Sequence, residues 1–144
     1  MARTRDGYTL AETVLALALA GLLAYAGGTS VARVMPGLQI RSAVWEITAG
    51  LNQARFGAIM SGAPVRVSFV PTGFVLERYD DDAAAWRPAR TERLDGVTVA
   101  ANNRPVFQPQ GTVSGLASIT VANARGTYRI TVAITGRIRT TRLA

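Results

Sequence analysis

The sequence predicts an α+β fold: one long N-terminal α-helix, membrane-sized in its first half, packed through its second half on a mainly antiparallel β-sheet. Three observations carry this reading. Residues 13–32 contain no charge, and apolar residues at helical spacing follow as far as Ala58. After Pro64 the apolar period shortens to two. With 144 residues, 49% of them hydrophobic, the chain has material for one globular core.

The uncharged run, TVLALALAGLLAYAGGTSVA, lies between Glu12 and Arg33. A helix rises about 1.5 Å per residue, so roughly twenty residues cross a ~30 Å hydrocarbon layer. Leu and Ala favour helix, and Gly21, Gly27 and Gly28 permit close approach of a neighbouring helix. Arg3 and Arg5 precede the run, which predicts a cytoplasmic N-terminus. Two other readings compete: a buried core helix, and a secretory signal cleaved after Ala26 at the small-x-small site Ala24-Tyr25-Ala26. A carboxylate such as Glu12 costs about 2.5–3.5 kcal/mol inside a membrane helix, and an ordinary signal has no use for that penalty.

Further along, Ile40, Val44, Ile47, Leu51, Ala54 and Ala58 form one apolar stripe, with Ser42, Glu46 and Gln53 opposite. Trp45 and Phe56 lie off it, as a second apolar strip for neighbouring subunits or as core packing at the helix edge. Pro36 is expected to bend or loosen the helix near 32–36, and Gly62-Ala63-Pro64 to end it. The whole helix is predicted over 8–62.

Strands are predicted over 65–70 and 74–79, joined at Pro71-Thr72-Gly73. Residues 80–95 read as polar and irregular. Strands resume over 97–100, 119–121 and 128–134, the last two flanking a turn at Asn123-Ala124-Arg125-Gly126. One long helix on such a sheet is an α+β arrangement.

The chemical inventory is poor for an enzyme. Cysteine and histidine are absent, which removes thiol nucleophiles, disulfides, zinc sites and imidazole acid–base chemistry. All sixteen basic residues are arginine, so Schiff bases and P-loops are excluded too. Arginine, alanine and glycine share GC-rich codons, so the arginine count says less than the arginine positions. Asp80-Asp81-Asp82 lacks the ligand spacing of a calcium loop and reads as a solvated turn. No cofactor and no metal are expected.

Gly7-Tyr8-Thr9-Leu10-Ala11-Glu12 before the apolar run resembles the class III signal of type IV pilins and type II secretion pseudopilins. Tyr8 stands where phenylalanine is usual, and Ala11 and Thr13 are smaller than the usual neighbours. Phe107-Gln108-Pro109-Gln110-Gly111 resembles the F-x-P-x-G segment of the GspH/FimT group of minor pseudopilins and minor pilins. Gly136-Arg137-Ile138-Arg139 resembles that group's G-R-x-R ending. Leader, long helix, F-x-P-x-G and G-R-x-R occur in the group's order along nearly the whole chain.

The resemblance implies a pilin-like fold with a prepilin leader (1–7), a transmembrane and assembly helix (8–35) and a periplasmic globular domain (36–144). A prepilin peptidase would cut after Gly7 and methylate Tyr8. Each mature subunit then carries an amine and the Glu12 carboxylate within about a turn and a half. Glu12 of one subunit can neutralise the N-terminus of the next, which penalises every other register. Implied partners are other pilins in a filament, the peptidase, an inner-membrane assembly platform and the inner membrane, with energy from a cytoplasmic ATPase. The implied work is to initiate or cap a pseudopilus that exports folded proteins. A FimT-like pilus subunit, with or without DNA capture, is the alternative; a soluble β-rich binding domain released after Ala26 is the remote one.

Charge is uneven. Residues 8–95 hold eight arginines and eight acids, whereas residues 96–144 hold six arginines and no acid. Arg137, Arg139 and Arg142 cluster, and strand alternation puts Arg137 and Arg139 on one face. Such a pair suits phosphate oxygens or an acidic partner. No aromatic is interleaved to stack on single-stranded bases.

Overall fold

The computed structural model describes residues 9–143, with the side chains of 26–33 excepted. Helix α1 runs Leu10–Ser61, 52 residues. Helical backbone continues through Pro36, whose carbonyl accepts a hydrogen bond from Asn123 Nδ2 at 2.7 Å. The residues before Pro36 and those from Pro36 onward form two compact units.

In the first unit every described side chain from Thr9 to Tyr25 is exposed, Leu10, Leu15, Leu17, Leu22 and Leu23 among them. Apolar residues on all sides of a helix need a cover that water does not supply. Among the described residues no helix is long and apolar enough to cross a membrane. The uncharged run extends into 26–32, whose side chains lie outside the described residues.

In the second unit α1 packs on two sheets, both antiparallel, where a single sheet was expected. The strands are β1 (Val65–Val70), β2 (Gly73–Asp80), β3 (Ala85–Arg93), β4 (Thr98–Ala101), β5 (Val106–Phe107), β6 (Val113–Ser114), β7 (Ala117–Asn123), β8 (Gly126–Val132) and β9 (Ile138–Arg142). The first sheet has the order β3-β2-β1-β5-β6 and the second β4-β7-β8-β9. Residues 80–95 are therefore not irregular: β3 pairs along the whole of β2. It is an exposed edge strand with no buried face, so no alternation marks it in the sequence. A bulge at Leu76/Glu77 accommodates Pro88.

The core joins Ile40, Ala43, Ile47, Leu51, Ala54 and Ala58 of α1 to Val65, Val67, Phe74, Leu76 and Phe107 of the first sheet and to Val99, Ile119, Val121, Ile130 and Val132 of the second. Ala43, not Val44, lies on the buried line; Val44 packs half-buried beside it. Ala43 is buried, its methyl group covered where the helix lies close to the sheets. The same closeness requires Gly50, because a Cβ there would fall 2.5 Å from Phe74 Cε2. Gln53 does not point away from the sheets as expected, since its Oε1 accepts a hydrogen bond from Arg90 Nη1 on β3 at 2.7 Å.

Candidate functional site

Glu12 stands exposed in the first turn of α1. Its backbone N–H donates to Thr9 Oγ1 at 3.3 Å and to the Thr9 carbonyl at 3.1 Å, so Thr9 caps the helix. Thr9 and Glu12 have the Thr-x-x-Glu spacing of a capping box, and an anion in the first turn is favoured by the helix dipole. Gly7 and Tyr8 lie outside the described residues.

On the second half of α1, Trp45 is 71% exposed and Phe56 65% exposed. Neither is core packing at the helix edge. At 3.6 residues per turn they lie opposite the buried line, with Leu38 two turns before Trp45 and Phe56 three turns after it. Leu38 and Met60 are exposed as well. The helix therefore carries two apolar lines, one buried by its own sheets and one bare.

The two short motifs of the second half meet in space. Phe107 is fully buried, and the chain turns back at once: the Gly111 N–H donates to the Gln108 carbonyl at 2.8 Å and the Gln108 N–H to that of Thr112 at 2.9 Å. Gly136, in the turn between β8 and β9, has φ +75°, and a Cβ there would fall 2.8 Å from the Gly111 carbonyl and 2.9 Å from Arg55 Nε. Arg55 Nη1 of the helix donates to the Gly136 carbonyl at 3.3 Å, and the Val113 N–H to that of Ile134 at 2.8 Å. Arg55 is missed by sequence reasoning; its partner is 81 residues away.

Downstream of this clasp, Arg137, Arg139 and Arg142 are all exposed. The register Thr131↔Arg139 and Arg129↔Thr141 puts Arg129, Arg137 and Arg139 on the outward face of the second sheet. Arg142 pairs with Tyr128 on the other face, so the structure brings together two of the three tail arginines and adds Arg129. Carboxylates pair with Arg66, Arg87, Arg90 and Arg93. Among the described residues, none of the six arginines from Arg104 onward is in a salt bridge.

The remaining polar clusters are structural. Hydrogen bonds from Arg66 hold the Glu77 carboxyl below its ordinary range; partial burial opposes them, and Ser68 and the charges of Arg66 and Arg104 assist. Asp80 pairs with Arg87 and accepts from the Ala83 N–H at 3.2 Å, which makes the acidic triplet an ordered turn. Among the described residues no group of His, Cys, Asp or Glu could hold a metal.

Comparison with known proteins agrees with this geometry. Two structures of the minor pseudopilin EpsH from the type II secretion system of Vibrio cholerae share the fold, each with a TM-score of 0.59 at 12% identity. The alignments cover 71% of this chain and 94% of EpsH in one, 72% and 95% in the other. No curated protein sequence matches the chain. The family described as Type II transport protein GspH matches residues 43–136, from the buried line of the helix to the clasp glycine. Spanning about two thirds of the 144 residues, that match shows that the chain belongs to the GspH family.

Proposed function

We propose that this chain is a minor pseudopilin of a type II secretion system, assembled through α1 into the periplasmic pseudopilus, at its tip or its initiating complex, in support of folded-protein export. The observation that carries the proposal is the bare apolar line Leu38–Trp45–Phe56 directly opposite the buried one. A helix committed only to its own sheets would turn polar residues outward there. The exposed leucines of the first unit extend the same need for a cover, which lipid supplies before assembly and other helices supply within a filament.

In this reading the chain is made as a single-pass inner-membrane prepilin, cut after Gly7 and methylated on Tyr8. Glu12 then serves as the registry charge against a neighbour's N-terminal amine. The test combines N-terminal sequencing of the mature protein with co-purification of partner pseudopilins. Methylated Tyr8 and loss of co-assembly in Glu12→Ala and in Trp45→Ala/Phe56→Ala support the proposal. A mature terminus at Gly27, or full co-assembly of both variants, sinks it.

A second reading, a FimT-like pilus subunit that captures DNA, is favoured by one observation: Arg129, Arg137 and Arg139 share a face that carries no acid. Binding of duplex DNA should weaken steeply with salt, by a log–log slope of about −0.9 per phosphate contacted. Unchanged binding in Arg137→Ala/Arg139→Ala, or none at low salt, removes this reading.

A further inference from the structure

A sheet edge presents unpaired N–H and C=O groups on which another strand can form, and proteins normally blunt or cover it. The two sheets have four edges. On β3 the edge carries Pro88 and a bulge, and Arg87 and Arg90 are neutralised by Asp80 and Glu92. On β4 the Val99 N–H donates to the Pro71 carbonyl at 2.9 Å, and on β6 the Val113 N–H donates to that of Ile134 at 2.8 Å. Three edges are therefore guarded or occupied.

The fourth edge, β9, is neither. The Ala133 N–H donates to the Arg137 carbonyl at 3.0 Å, and the Leu143 N–H to that of Thr127 at 2.9 Å. Hydrogen bonds alternate along an antiparallel ladder, so the odd-numbered residues of β9 turn their backbone groups to β8. Ile138, Thr140 and Arg142 turn theirs outward. Among the described residues no hydrogen bond from another element reaches them. The strand has no proline and no bulge. Arg137 and Arg139 flank this edge on one face and Arg142 on the other, and no acid follows Asp95.

We propose that β9 is a docking edge for an extended acidic segment of a partner polypeptide, which adds to the second sheet as a fifth strand. Backbone groups at 138, 140 and 142 supply the ladder and fix the register. Arginines on both faces select a strand with carboxylates at successive positions, where either face of the incoming chain meets a cation. A nucleic acid could use the arginines but has no use for the backbone groups. The proposal rests on the second sheet alone and stands or falls separately from helix-mediated assembly.

The experiment uses the full chain in detergent micelles. Its probe is a synthetic peptide of about eight residues, alternating valine and threonine pairs with glutamates, beside a control with lysine at every glutamate. Addition of the acidic peptide should slow amide exchange at Ile138, Thr140 and Arg142 by at least about tenfold, with smaller changes at Arg139 and Thr141, already bonded to β8. Thr140→Pro removes one edge donor while keeping every arginine, at a position where proline leaves the β8 pairing intact; it should abolish peptide binding. Arg137→Ala/Arg139→Ala should weaken it about tenfold or more. The proposal is overturned if exchange at 138, 140 and 142 is unchanged in the wild-type chain, or if the lysine peptide binds equally. Duplex DNA bound alike by wild type and Thr140→Pro, with no peptide bound, assigns the arginines to a polyanion and overturns it too.

Discussion

Glu77 accepts hydrogen bonds from Arg66 Nε at 2.8 Å and Nη2 at 2.9 Å, with Ser68 Oγ donating to the same carboxylate. The Arg66 guanidinium in turn lies 4.4 Å from the Trp86 ring centroid. Because the folded state depresses this carboxyl's pKa, its contribution is fully present above the ordinary carboxylate range and is lost as pH falls through the folded value. Glu77→Gln should therefore lower stability at neutral pH by about 1–2 kcal/mol and flatten the acid limb, checked by thermal unfolding between about pH 2 and pH 7. Gly136 makes the second residue-scale case. Its left-handed backbone and the crowding by Gly111 and Arg55 mean that Gly136→Ala should cost about 1–3 kcal/mol, read as a lowered midpoint in the same experiment.

The two lines of α1 differ in what they do for the element. Leu51 is fully buried, and Leu51→Ala leaves a cavity that should cost about 2–5 kcal/mol in denaturant unfolding. Trp45→Ala removes a larger side chain from solvent and should change stability by less than about 0.5 kcal/mol. A loss comparable to that of Leu51→Ala would mean that Trp45 packs on its own domain and is not held out for a neighbour. The helix and the hairpin β1–β2 were legible from periodicity and from Pro71-Thr72-Gly73. Strand β3 was not, because an edge strand exposed on both faces has no hydrophobic alternation to display.

At the scale of the molecule, every residue of the buried core lies in the unit that begins at Pro36. A chain beginning at Pro36 keeps the Asn123 hydrogen bond to the Pro36 carbonyl and every residue of the core. It should melt within about 3 °C of the full chain, measured by circular dichroism, because a 1 kcal/mol change shifts the midpoint of a domain near this size by about 4–8 °C. Charge is divided as well. The carboxylates of the first sheet are paired with their own arginines, while among the described residues no carboxylate pairs with the cations of the second sheet. That asymmetry was countable in the sequence; the face each arginine occupies was not, since it depends on the register of β8 with β9.

What the sequence determined by itself was local: the long helix with its buried line and the turns that close the hairpins. These follow from period, propensity and turn chemistry within a few residues of chain. The tertiary structure decided what depends on distant pairing. It split the strands between two sheets by placing β5 beside β1, brought Gly111 and Gly136 together under Arg55, and left β9 as an open edge. Pairing partners tens of residues apart are selected by the whole core at once, so no window of sequence contains them.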